Sequence, residues 1–144
     1  MLNFRQVLVS DAEALNCLDK EIFQSKCYGD YLSLIQSDST LIYLSCEDDK
    51  IVGYIYWSLT QDEAELFHLG VSEGNRRKHI GEKLMLKSLN LLALKGIAKA
   101  FLEVGAKNKP AQKLYEKVGF KQYNIRKNYY GINDDAKCYV LEVK

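Results

Sequence analysis

The sequence predicts an α/β (α+β) fold, with one mostly antiparallel central sheet of about seven strands and about four helices on its faces. Three observations carry this. Short runs rich in β-branched and aromatic residues alternate with stretches of helical period. Three of those runs follow one another with only "EDDK" and "TQDE" between them, which reads as an antiparallel meander. The 144 residues contain no repeat, linker or low-complexity tract, so a single domain, 1–144, is expected, long enough to bury a real core.

In order, residues 2–9 ("LNFRQVLV") read as an opening strand. "SDAE" at 10–13 matches a capping box, with Ser10 as the cap and Glu13 reaching back. Leu15, Leu18, Ile22 and Phe23 recur at helical spacing, so a helix runs to about residue 24. A second short helix covers 29–37, with Tyr31, Leu32 and Ile35 inward. "TLIYLSCE" and "KIVGYIYWSLT" form a hairpin, and "AELFHLGVS" (64–72) is the third strand of the meander. A helix from about 80 to 95 buries Ile80, Leu84, Leu91 and Leu92 and ends at Gly96. "AKAFLEVGA" (98–106) is a further strand. "NKPAQKLYEKVGF" places Pro110 just inside a helix start and Gly119 just past its end. "FKQYNIRKNYY" and "AKCYVLEV" are two last strands joined through "GINDD".

Composition narrows the function. The formal net charge of +1 argues against a dedicated nucleic-acid binder, which carries a strong basic excess. No apolar run is long enough for a membrane span, and the N-terminal residues lack the pattern of a signal peptide, so the cytoplasm is the expected compartment. Cys17, Cys27, Cys46 and Cys138 form no C-x-x-C pair, and neither histidine lies near them, so no metal site is expected and all four read as ordinary thiols.

One stretch invites chemistry. "GNRRKHIGEKL" (74–84) crowds Arg76, Arg77, Lys78 and His79 against the start of a helix. First-turn N–H groups and the positive dipole end attract anions, so this is a seat for phosphate or a solvated basic turn. Cations at a helix start oppose the dipole, and such a local conflict points to function. Gly81 removes a side chain where a ligand would approach the backbone. Glu103 is a carboxylate in an otherwise apolar strand, on the face opposite Leu102 and Val104, either exposed on the polar face or aimed into a cleft.

"RRKHIGEKLM" resembles the Arg/Gln-x-x-Gly-x-Gly/Ala signature of the GCN5-related N-acetyltransferases, the GNAT family. "NKPAQKLYEKVGF", about 30 residues later, resembles that family's second hallmark. Within the family, "LFHLGV", "FLEVGAKN" and "IRKNYY" resemble the enzymes that acetylate the N-terminal α-amine of a ribosomal protein. The resemblance implies a GNAT-like fold in which strands 64–72 and 98–106 splay apart as a slot for acetyl-CoA. It implies that Arg76, Arg77, Lys78, His79, Ile80, Gly81 and Glu82 hold the pyrophosphate, that Leu69, Gly70 and Val71 pair with pantetheine like an added strand, and that Asn108 bonds the pantetheine arm or fixes its turn. Gly70 in a strand marks a bulge or a close backbone approach.

The same resemblance implies roles in transfer. An α-ammonium has no lone pair and must lose a proton, for which Glu103 is the candidate base, directly or through a water, with Glu65 a weaker rival. Tyr115, beside the stripe Ala111, Leu114 and Val118, is the candidate acid for the departing thiolate. Tyr28 and Tyr31 would frame the acceptor entrance, and one of Tyr129 and Tyr130, on opposite faces of a strand, would line the slot. His79 departs from the pattern, since the family usually has glycine there; a side chain suits helical φ/ψ at that position but not positive φ.

Three readings stand side by side: acetylation of a protein N-terminus, as of a ribosomal protein; acetylation of a small-molecule amine or a lysine side chain; and a non-catalytic acyl-CoA or nucleic-acid binding module. Monomer and homodimer both remain open.

Overall fold

The computed structural model describes residues 1–143. Seven strands form one sheet, numbered along the chain β1 (Leu2–Gln6), β2 (Thr40–Glu47), β3 (Lys50–Thr60), β4 (Glu63–Val71), β5 (Lys99–Gly105), β6 (Lys121–Gly131) and β7 (Asp134–Glu142), in the order β1-β2-β3-β4-β5-β7-β6. The helices are α1 (Ala12–Phe23), α2 (Tyr31–Ile35), α3 (Ile80–Leu94) and α4 (Lys109–Val118). Every neighbouring pair is antiparallel except β4 and β5. This is the mostly antiparallel α/β arrangement expected, in the expected order of elements.

Local differences have local causes. β1 stops at Gln6, and Val9–Asp11 is a turn of 3-10 helix, so Ser10 does not cap α1. Asp11 does the reaching back expected of Glu13: its Oδ2 accepts the Leu8 N–H at 2.7 Å, and the carboxylate grips Arg5 at 2.8 and 2.9 Å. α2 is only five residues long, and Leu32 points outward at 43% exposure while Tyr31 is sealed. Asp48 and Asp49, both at positive φ, close the β2–β3 hairpin in two residues.

Apolar side chains fill both faces of the sheet. Under α3 and α4 lie Trp57, Ile80, Leu84, Met85, Leu92 and Leu102, with Trp57 Nε1 donating to Ser88 Oγ at 2.9 Å. Under α1 and α2 lie Leu15, Leu18, Tyr31, Leu44, Tyr54 and Tyr56.

The centre of the sheet is where function is prepared. β4 and β5 pair only over Glu63–Glu65 against Lys99–Phe101. Beyond Glu65, β4 stays with β3 and β5 stays with β7, so a wedge opens between them. A bulge falls at Phe67, opposite the Tyr56–Trp57 step, and bends β4 at that point. Gly70 is therefore not the bulge but the close approach. A Cβ there would lie 3.0 Å from Ile22 Cδ1, 3.1 Å from Tyr54 Cε1 and 3.2 Å from Phe23 Cε2, because α1 rests on it.

Candidate functional site

One half of the site is the turn between β4 and α3. Arg77 has φ 69° and His79 has φ 59° and ψ 23°, both left-handed, and His79 is the cap residue of α3. This corrects the expectation that His79 avoids positive φ: a residue with a Cβ occupies the very conformation that glycine takes without strain. Alternating the hand along the chain turns successive amides toward one concavity. Among the described residues, no protein acceptor takes the N–H groups of residues 77–82. Arg76 is braced by its Nε on the Val71 carbonyl at 3.1 Å, and Lys78 Nζ bonds Asn75 Oδ1 at 3.2 Å. The His79 ring is mostly exposed, 3.9 Å from Glu82.

These groups border an open groove that runs past Gly81 to Pro110 and Leu114 of α4. At Gly81 an added Cβ would meet nothing nearer than Leu114 Cδ2 at 4.0 Å, so the groove floor is backbone. Leu69, Gly70 and Val71 lie in the part of β4 that β5 leaves unpaired. Asn108 caps α4 by accepting the Ala111 N–H at 3.3 Å, which is the turn-fixing role of the two expected of it. Gln112, which the sequence reading passed over, ties α4 to the end of β5: its Nε2 donates to the Gly105 and Ala106 carbonyls, both at 3.0 Å, and its Oε1 accepts from Lys137.

The other half lies across the wedge. Glu103 faces away from the Leu102–Val104 core, as its alternation predicts. Its Oε2 pairs with Arg126 Nε at 2.8 Å and accepts from Cys138 Sγ at 3.5 Å. Glu103, Arg126 and Glu65 line one pocket together with Ser58 and Tyr123. Burial, and then the Glu103 charge, push the Glu65 carboxyl above its ordinary range, with Arg126 opposing them. Tyr115 lies deeper than expected, only 9% exposed, and burial pushes its phenol up to about 12. Its hydroxyl makes no hydrogen bond among the described residues and is not among the sealed unpartnered atoms, so it keeps some access to solvent. Burial, and then the Glu103 charge, also push the Tyr130 phenol above its ordinary value.

The aromatic candidates divide. Tyr28 is 41% exposed and lies edge-on to His68 and flat against Phe67 at the wedge mouth. Tyr31 is fully buried with its hydroxyl on Asp19, so it cannot frame an entrance; it is core. Tyr129 and Tyr130 do not point to opposite faces. Asn128 at φ 55° and a break in the β6–β7 register disturb the alternation, and their rings meet at 5.0 Å. Tyr129 carries the Arg126 guanidinium at 5.4 Å, while Tyr130 lies against Gly105 and beneath Lys26.

The sequence reading also passed over Asp19 and His68. Asp19 is completely buried in α1, inside the stripe of Leu15, Leu18 and Ile22. It accepts the Tyr28 N–H at 2.6 Å, the Tyr31 hydroxyl at 3.1 Å and the Tyr54 hydroxyl, and it lies 2.8 Å from His68 Nδ1. The available signal was an acid within an apolar helical face, which burial allows only with donors around it. Among the described residues, no three His, Cys, Asp or Glu side chains are grouped to hold a metal ion, and no helix is long and apolar enough to cross a membrane.

Known proteins share this architecture. The model of the acetyltransferase (GNAT) family matches residues 9–120. The [ribosomal protein bS18]-alanine N-acetyltransferase of Haemophilus ducreyi is 40% identical over 91 residues, 63% of each chain. The enzyme of that name from Escherichia coli K12 is 32% identical over 106 residues, 74% of this chain and 72% of its own. A crystal structure of the ribosomal-protein-S18-alanine N-acetyltransferase from Escherichia coli superposes with a TM-score of 0.90 at 25% identity, over 100% of this chain and 95% of that one. A PaiA N-acetyltransferase from Thermoplasma acidophilum, in complex with coenzyme A, has the same fold (TM-score 0.79, 22% identity, 96% and 98% covered).

Proposed function

The chain belongs to the acetyltransferase (GNAT) family, and from that premise we propose that it transfers the acetyl group of acetyl-CoA to the α-amine of a protein N-terminus, in the manner of the bS18-alanine enzymes it resembles. The observation that carries the donor side is the run of unpartnered amides at residues 77–82, set at a helix start beside a groove with a backbone floor. Such a concavity suits the two charges of a pyrophosphate, and Arg76 and Arg77 add field around it.

Acetyl-CoA supplies the acetyl group as a thioester. The chain's own residues do the rest. The free edge of Leu69–Val71 offers main-chain groups to an extended pantetheine arm. Glu103 accepts a proton from the acceptor nitrogen, and Arg126 holds the carboxylate at the wedge. Tyr115 retains its proton at neutral pH, because burial raises its phenol to about 12. It is thus ready to donate as negative charge develops on the departing sulfur.

Release of free thiol from acetyl-CoA tests the reading. Peptides that begin with alanine should be turned over in preference to polyamines and free lysine. Faster turnover of a polyamine or lysine would support the small-amine reading instead, and tight acetyl-CoA binding with no turnover of any amine would support a binding module. Tyr115→Phe and Glu103→Gln should each lower kcat by about 10²-fold or more while acetyl-CoA binding persists.

A further inference from the structure

We propose that His68 is a second proton acceptor for the acceptor amine, held by Asp19 as a positioning residue so that Nδ1 donates and Nε2 presents its lone pair to the wedge. The inference rests on the acetyl-transfer reading above and adds to it a residue that lies within the "LFHLGV" stretch but to which the resemblance gives no role.

The proton count asks for such a group. An α-ammonium carries three protons and the amide product keeps one, so two protons leave the same nitrogen. The departing sulfur takes up one proton, which Tyr115 can supply; overall, one proton goes to solvent. Glu103 can receive one of the two, but Arg126 already lies 2.8 Å from its Oε2. An ammonium approaching Glu103 has to share the carboxylate with that guanidinium, so the proton that leaves before attack is the harder one for Glu103 to take.

His68 meets the requirement. It lies on β4 three residues beyond the last pairing with β5, next to Leu69. Asp19 fixes its tautomer. The carboxylate already accepts from the Tyr28 N–H and the Tyr31 and Tyr54 hydroxyls, so the contact with His68 Nδ1 at 2.8 Å completes a shell of four donors. Nδ1 therefore carries the hydrogen, and the neutral ring has its lone pair on Nε2. Phe23 stacks on the ring at 4.0 Å and Tyr28 closes edge-on at 4.8 Å, which leaves it little freedom to turn. Nε2 has no protein partner among the described residues and is not among the sealed atoms.

The titratable groups around the ring are Asp19 from α1, Tyr28 from the loop after it, Tyr31 from α2, and Tyr54 and Tyr56 from β3; Glu65 lies three residues before it on β4. Burial lowers the ring below its ordinary value, and Asp19 works against that fall. The imidazole is thus neutral at neutral pH, and Asp19 stands ready to stabilise the imidazolium once Nε2 takes a proton from the ammonium. That proton then passes to water through the open side of the ring.

The test is the pH dependence of kcat/KM for an alanine-starting peptide, with His68→Gln, Asp19→Asn and wild type compared. At pH 7, His68→Gln should lose about 10²-fold, in the range of a general base. The deficit should shrink steadily above pH 8 as the amine, with an ordinary pKa near 8, becomes a free base without help. A purely structural role predicts a deficit constant with pH, and that result would overturn the proposal. Asp19→Asn should show the same alkaline recovery. Because that variant strips a buried anion from three other donors, the independent readout is ¹⁵N NMR of the wild-type ring: Nδ1 should carry the proton, and an Nε2–H tautomer would refute the assignment. Wild type inactive on every amine would remove the acetyl-transfer reading and this inference with it. Wild type active, with His68→Gln parallel to it, would remove this inference alone.

Discussion

Replacing His79 with glycine should stabilise the fold, although it deletes a side chain. His79 sits at φ 59° and ψ 23° at the cap of α3. A left-handed conformation costs a residue with a Cβ about 1–2 kcal/mol, with histidine toward the tolerant end. Glycine removes that cost but adds about 0.5–1 kcal/mol through the extra freedom of the unfolded chain. The ring offers little in return: it is mostly exposed, it makes no capping hydrogen bond, and its contact with Glu82 is 3.9 Å long. The net gain is about 0.5 kcal/mol. An unfolding entropy of about 2.1 cal/mol/K per residue makes that about 2 °C in Tm for a chain of this length. His79→Val should move the other way by several degrees, because a β-branched residue is a true outlier there. Calorimetric unfolding of the three proteins without ligand decides it. If the glycine variant melts lower than wild type, or the valine variant melts with it, strain at this position is not what the turn stores.

Further outcomes separate fold from function. Gly81→Ala has room, with only Leu114 Cδ2 at 4.0 Å, so the ligand-free protein should hold or gain about 0.5 kcal/mol from helix propensity while acetyl-CoA affinity falls; thermal shift with and without acetyl-CoA reads both effects. Gly70→Ala should cost about 1–3 kcal/mol in urea unfolding, since its Cβ would crowd Ile22, Tyr54 and Phe23 at 3.0–3.2 Å. Asp11→Asn should cost about 2 kcal/mol at pH 7 by breaking the Arg5 pair and weakening the bond to Leu8. Arg5 holds the folded Asp11 carboxyl below its usual range, so this stabilisation is complete above the unfolded value near 4 and is lost as pH falls through the lower folded value. The gap between variant and wild type in urea should therefore narrow toward pH 3.

The donor half of the site was legible because it is written contiguously. The Arg76–Glu82 stretch, its helix start and the capped α4 all depend on neighbours in sequence, and local rules read neighbours well. What that reading missed was backbone hand. The motif's glycine position was visible, but a histidine there gave no sign that it would adopt the glycine conformation. The pair Tyr129 and Tyr130 failed for a related reason. Strict alternation predicts opposite faces, and one left-handed residue, Asn128, is enough to break it. The sequence offers Tyr31 both as an inward residue and as an entrance residue, and only the first is compatible with a ring at 0% exposure.

The acceptor half is assembled from distant segments, each ordinary by itself. Asp19 comes from α1, Tyr54 from β3, His68 and Glu65 from β4, and Arg126 from β6. No local pattern joins them, because what joins them is register: β3 against β4 sets Tyr54 and Tyr56 beside the segment with His68, and β5 against β7 against β6 brings Arg126 to Glu103. A buried acid such as Asp19 is costly without donors, so four elements that meet at its carboxylate lock that register as well as line the wedge. The bulge at Phe67 acts in the same place. It ends the ladder to β5, and within one residue of it Asp19 pins His68. Opening the slot and fixing the group that faces it are thus one event in the packing of α1 on β4. For that reason, changes in α1, which carries none of the motifs at the β4–α3 turn or in α4, should alter acceptor chemistry before they alter acetyl-CoA binding.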